Sequence, residues 1–183
     1  MRAFLLLLAS SLAIFGLSSG QDYTPKPGET VLKLVVQERG NIYVKLYLKE
    51  APKTTARISE LAKQGFYNGQ RFHKVVRTPR PFVAQIGDPA SKDHDLDDPK
   101  MGEGGTGVKI PYEDSGFSHE EGAVSLAHLP NDKSGDCQFF FVLGSSTFLN
   151  GRYTVFGKVV AGMDVMRTLQ QGDTVRQMTV VSN

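Results

Sequence analysis

The chain has 183 residues, 40% of them hydrophobic and 22% charged, proportions of an ordinary globular domain that exclude a disordered segment or a coiled coil. Lysine and arginine number 21 against 19 aspartates and glutamates, and the resulting charge of +2 is too balanced to indicate a nucleic-acid or anionic-membrane binder. A single cysteine excludes an intramolecular disulfide framework and a cysteine-rich zinc module.

Residues 1–20 read as an address rather than as structure. Met1-Arg2 gives a short positive start, residues 3–17 are apolar apart from Ser10, Ser11 and Gly16, and the small residues Ser18, Ser19 and Gly20 follow. This is the layout of a secretory signal peptide with its cleavage site. The apolar run falls short of the ~20 residues that span a bilayer comfortably, so no integral membrane span is expected after cleavage; an uncleaved anchor is the alternative. The expected location is extracytoplasmic, periplasmic or secreted. Residues 21–30, with Pro25, Pro27 and Gly28, read as an extended leader.

Residues 31–36 and 42–48 are apolar runs joined through Arg39-Gly40-Asn41, which predicts a β-hairpin. Ala51-Pro52-Lys53-Thr54-Thr55 starts a helix with proline in its first turn, Ile58, Leu61 and Ala62 on one face, and Gly65 as its stop. The turn Tyr67-Asn68-Gly69-Gln70 leads into a strand over 71–76, and 82–86 forms another. Between them the prolines of Arg77-Thr78-Pro79-Arg80-Pro81 forbid a central strand. Residues 91–117 are a glycine- and acid-rich excursion without hydrophobic period. Strand patterning resumes at 123–127, 138–143 and 154–160; a short helix over 162–171 carries Val165, Met166 and Leu169 on one face, and 175–181 is a closing strand. About eight short strands, two helices and no regular βα alternation favour a β-barrel or sandwich over a parallel α/β sheet.

Several local patterns suggest chemistry that their context does not support. Gly102-Glu103-Gly104-Gly105-Thr106-Gly107 matches a dinucleotide fingerprint by letter, but no strand precedes it and no helix follows, so it reads as a flexible loop. Asp93, Asp95 and Asp97 resemble the opening of a calcium loop, yet Asp98 and Gly104 stand where that loop needs glycine and glutamate. A solvated acidic loop is the better reading, with at most a weak surface cation. His73, His94, His119 and His128 show no helical metal-pair spacing, and no metal site is expected. Cys137 sits in the apolar run Cys137-Gln138-Phe139-Phe140-Phe141-Val142 and reads as a buried thiol rather than a nucleophile.

One ordered set of segments rises above this background: Phe72-His73-Lys74-Val75-Val76, Phe82-Val83-Ala84-Gln85-Ile86-Gly87-Asp88, Ser125-Leu126-Ala127-His128, Gln138-Phe139-Phe140, and Phe148-Leu149-Asn150-Gly151 with Val155-Phe156-Gly157-Lys158-Val159. Together they closely resemble the cyclophilin family of peptidyl-prolyl isomerases, from residue 31 to residue 181. The resemblance implies a cyclophilin-like domain over 31–183, a closed eight-stranded antiparallel β-barrel capped by two helices. It implies rotation of X–Pro bonds in folding client proteins, a monomer working without cofactor, and proline-containing polypeptide segments as partners, with no nucleic acid. A proline-peptide binding module or holdase with weak or no isomerase activity is the alternative.

By the same resemblance Lys74, Phe82 and Gln85 are the catalytic candidates. Val83, Ala127, His128, Gln138, Phe140, Phe148, Leu149 and Tyr153 would bind substrate, Ala127 and His128 through main-chain groups. Taken singly, each apolar residue reads as ordinary barrel core; the set carries the assignment. Lys74 stands where the family normally has arginine, keeping the charge but losing the planar fork of donors, which predicts reduced activity. The longer segment after it brings Arg77 and Arg80, either of which is a possible auxiliary reaching into the groove; the blander reading is two solvated loop arginines. Phe148 replaces a frequent tryptophan, Tyr153 a frequent histidine, and His128 a common asparagine.

Overall fold

Alternating burial along the first two apolar runs builds a hairpin from β1 (Thr30–Val36) and β2 (Gly40–Leu46), antiparallel from Val31↔Lys45 to Val36↔Gly40. The computed structural model describes residues 22–129 and 131–183; the expected signal peptide lies outside them. The hairpin turns earlier than the glycine suggests: Gly40 already pairs within β2, and the bend falls on residues 37–39, where Glu38 takes φ 60°. Ahead of β1 the leader lies along this hairpin. Asp22 accepts from the Tyr43 hydroxyl at 2.7 Å, and Glu29 from the Tyr23 hydroxyl at 2.7 Å and Lys45 Nζ at 3.0 Å.

The remaining strands are β3 (Lys74–Val76), β4 (Val83–Ile86), β5 (Ala123–Leu126), β6 (Phe139–Val142), β7 (Val155–Ala161) and β8 (Val175–Ser182). They form one antiparallel sheet in the order β3-β4-β6-β5-β7-β2-β1-β8. The sheet curls into an open half-barrel rather than the closed barrel expected. Its ends, β3 and β8, share no ladder among the described residues. The run expected to begin at Arg71 becomes a strand only at Lys74. Arg71 instead makes a lone bridge with Thr174, while Phe72 N–H donates to Asp173 O at 2.9 Å and Gly172 N–H to Phe72 O at 3.0 Å. β8 from Val175 onward is engaged by β1.

Two helices pack on the sheet. α1 (Pro52–Lys63) buries Thr54, Thr55, Ile58, Leu61 and Ala62 and lies against β8; α2 (Met163–Thr168) buries Val165 and Met166 and lies against β2. α2 stops before the expected Gln171 because Leu169 is extended, at ψ 138°. The inward face carries the fully buried Leu32, Leu34, Ile42, Phe72, Phe139, Phe141 and Phe156, each contributing roughly 1.5–3 kcal/mol of burial.

The long excursion is ordered by side chains from elsewhere. Glu113 accepts the Lys53 and Thr54 N–H groups at 2.9 and 2.8 Å, placing a carboxylate on the orphan donors at the α1 N-terminus. Asp136 accepts from the Thr106 and Gly107 N–H groups at 2.6 and 2.8 Å, and Ile110 bridges Gly135.

Candidate active site

Strand register assembles the site. Lys74 opposes Gln85 across β3–β4, Gln85 opposes Phe140 across β4–β6, and Ser125 opposes Phe140 across β5–β6. Because side chains alternate along strands, Val83, Gln85, Phe140 and Val142 face away from the core that receives Ala84, Ile86, Phe139 and Phe141. On that outer side Val83, Phe140, Val142, Leu149 and Val155 form a second apolar cluster, with Phe82, Ala127 and Tyr153 packed against it.

A groove of about 510 Å³ opens over this cluster. Of the residues singled out from the sequence, Lys74, Phe82, Val83, Gln85, Ala127, His128, Phe140, Leu149 and Tyr153 line it together. Phe148, 52% exposed, stacks on Phe82 with ring centroids 5.8 Å apart and extends the rim. Gln138 lines an adjoining depression of about 250 Å³ that shares Gln85, Gly102, Glu103, Ala127 and His128 with the groove. Arg77 and Arg80 do not line the groove. Arg77 donates through Nε and Nη2 to Leu169 O at 3.1 and 2.8 Å, just past α2, and Arg80 is exposed. The arginine reach considered as a replacement donor does not occur in this structure.

A polar relay sets the posture of Gln85. The Gln138 amide nitrogen donates to Gly102 O at 2.8 Å and Gly104 O at 2.7 Å, so its oxygen faces Gln85 and accepts from Nε2 at 2.9 Å. Gln85 Oε1 is thereby left as an acceptor for the groove. The glycine loop is itself held by Asp88, whose buried carboxylate accepts from Ala90, Gly102 and Gly104 N–H groups at 2.9, 2.6 and 3.1 Å. Gly87 makes that placement possible: at φ +116° it passes so close to β6 that an added Cβ would fall 2.5 Å from Cys137 O and Gln138 Cα.

Behind Phe140 lies His119, fully buried, its Nδ1 2.9 Å from Asn150 Oδ1 and its Nε2 3.0 Å from Ser125 Oγ. Burial holds its pKa below the ordinary histidine value, and the Asn150 contact opposes that shift. His128 stacks on Tyr153 with centroids 4.3 Å apart, and its two ring nitrogens stand 2.8 and 2.9 Å from Leu129 O and Arg152 O.

The groove also contains residues that sequence reasoning passed over. His73, Leu96, Asp98, Pro99, Met101, Gly102, Glu103, Leu129 and Gln171 share its lining. The glycine run at 102–107, which fails as a dinucleotide fingerprint, supplies the carbonyls that hold Gln138.

A model of the family described as cyclophilin type peptidyl-prolyl cis-trans isomerase/CLD matches residues 31–183. Peptidyl-prolyl cis-trans isomerase B of Bacillus subtilis is 36% identical over 148 residues, covering 80% of this chain and 94% of its own. A peptidyl-prolyl cis-trans isomerase of Helicobacter pylori is 34% identical over 159 residues, covering 85% and 90%. Among solved structures, a cyclophilin type peptidyl-prolyl cis-trans isomerase of Cryptosporidium parvum superposes with a TM-score of 0.72 at 22% identity, over 85% of this chain and 99% of that one.

Proposed function

The chain belongs to the cyclophilin-type peptidyl-prolyl cis-trans isomerase family, and from that premise we propose that the groove over Phe140 is where it binds prolyl peptides and rotates their X–Pro bonds. It is an isomerase of X–Pro bonds. The barrier to be lowered is roughly 18–20 kcal/mol, set by partial double-bond character, and no bond is broken. What the site must do is favour the twisted imide over both planar forms.

Phe82, Val83, Phe140, Leu149 and Tyr153 hold the proline ring in an apolar socket. Gln85 Oε1 accepts a substrate N–H. The Ala127 N–H is engaged by Gln138 O at 2.9 Å, so the Ala127 carbonyl and the His128 N–H are the main-chain groups for the substrate backbone. As the imide twists, its nitrogen regains a lone pair. Lys74, whose ammonium is the lysine or arginine head group among the described groove-lining residues, stabilises that form as a charged donor already in place. The observation that carries this reading is the row Lys74–Gln85–Phe140 across three paired strands.

Exchange of an X–Pro peptide, followed by NMR without a coupled protease, tests it. A charge-assisted hydrogen bond is worth about 1.5–3 kcal/mol. Lys74 is exposed, so the lower end applies. Lys74→Ala should slow exchange about 10-fold, and Lys74→Arg should match or exceed the native rate. An unchanged rate in Lys74→Ala overturns the assignment of Lys74.

The site of action we propose is extracytoplasmic, on folding client proteins. Met1-Arg2, the apolar stretch 3–17 and the small residues Ser18, Ser19 and Gly20 support it. Cell fractionation with sequencing of the mature N-terminus tests it; a cytoplasmic protein starting at Met1 refutes it.

A further inference from the structure

The groove carries a wall that a proline socket does not require. From the excursion, Leu96, Pro99 and Met101 stand on the groove beside the carboxylates of Asp98 and Glu103. Both acids are exposed, and among the described residues neither forms an ion pair. Asp98 Oδ1 accepts the Lys100 main-chain N–H at 2.8 Å, which leaves its second oxygen open. Two carboxylates against the single ammonium of Lys74 make the fixed charge of the groove lining negative.

A buried histidine borders the same groove. His73 lines it, is 5% exposed, and has no hydrogen-bond partner on either ring nitrogen. Both ring nitrogens are shielded from solvent, with Gly102 against Nε2, so the exposed charged groups of this wall are the two carboxylates.

We infer that this wall selects the substrate: the preferred class is a proline-containing segment carrying lysine or arginine within a few residues of the proline. Its methylene stem lies on Leu96, Pro99 and Met101, and its cation meets Asp98 and Glu103. Long cationic side chains bury their stems while keeping the head in water, which suits an apolar strip edged by exposed carboxylates. The inference rests on the groove being the isomerase site, and it adds a charge preference to that reading.

The test is NMR exchange with blocked hexapeptides holding one X–Pro bond. Lysine, glutamine or glutamate is placed in turn at each position from two before to two after the proline. At one or more positions the lysine peptide should show a KM about 3- to 10-fold below that of the glutamate peptide, the scale of exposed ion pairs. The preference should vanish at about 1 M salt, where the screening length is roughly 3 Å. In the pair D98N and E103Q, the lysine-to-glutamine ratio should fall to about 1. The salt titration uses the native protein, so a variant that folds poorly does not remove the test. Equal KM for all three peptide classes at low salt overturns the inference while leaving isomerisation intact. A native protein that exchanges none of the peptides overturns the isomerase reading and this inference with it.

Discussion

Replacing Asp88 by asparagine probes how the site is held in place. The carboxylate is fully buried and accepts three main-chain N–H groups, Ala90 at Oδ1 and both Gly102 and Gly104 at Oδ2. Asparagine keeps the shape, removes the charge and turns one acceptor into a donor. With its oxygen on Gly102 and Gly104, its amide nitrogen confronts the Ala90 N–H, so one bond is lost and two fall from charge-assisted to neutral. Bonds to charged groups contribute about 1.5–3 kcal/mol and neutral ones about 0.5–1.5 kcal/mol. The total loss is therefore about 4 kcal/mol before the lower desolvation of a neutral amide offsets part of it, leaving about 3 kcal/mol. The effect should pass to the groove. Once the glycine loop loosens, Gln138 loses the carbonyls that orient it, and Gln85 loses its aim. Forfeiting one substrate hydrogen bond of about 1 kcal/mol raises KM about 5-fold, with a smaller change in kcat. Equilibrium urea unfolding and NMR exchange at several peptide concentrations measure the two effects. A destabilisation under about 1 kcal/mol with an unchanged urea slope, or full destabilisation with unchanged KM, would refute the relay.

Phe140→Ala should cost about 3 kcal/mol, the low end for a buried phenylalanine because the groove side can rehydrate, and should raise KM strongly; urea midpoints and peptide titration check both. His73 and His119 are buried, and burial is the main cause holding each pKa below the ordinary value. The unfolded chain therefore takes up protons near pH 6.5 while the native state does not. Stability should fall as pH drops from about 7 toward the native values, by at most about 1.4 kcal/mol per pH unit for each histidine. Urea midpoints at neutral and mildly acid pH should show this slope, and His73→Leu should flatten it; a flat native profile rejects the sign. Burial also pushes the Cys137 thiol up to about 12. The native protein should resist thiol reagents at mildly alkaline pH and react at the rate it unfolds, so prompt labelling would contradict the placement of Cys137.

Much of this site was legible because it is written in strand parity. Val83 and Gln85, two residues apart, share a face by the pleat alone, and Phe140 joins them through register. The failures have a common physical origin in partners distant along the chain. Residues 102–107 have no helix or strand period, so nothing local marks them as ordered; Asp88 and Asp136 order them from 14 and 29 or 30 residues away. Arg71 carries strand-like neighbours, yet Thr174 claims it and shortens β3. Where a closed barrel is expected, the two ends of the sheet meet through that lone bridge and the hydrogen bonds of Phe72 with Asp173 and Gly172. Arg77 shows the converse limit: its charge was evident, but the carbonyl at the end of α2 that takes it was not.

The leader brings the two chain ends of the described domain into contact. Gly28 N–H donates to Asn183 O at 3.3 Å, and Asn183 Nδ2 donates to Pro25 O at 3.0 Å. Residues 25 and 183 could thus be spliced by a few glycines and the polypeptide reopened at an exposed loop tip, yielding a circular permutant with the same groove. Sequence order would then be rewritten while every strand kept its neighbours.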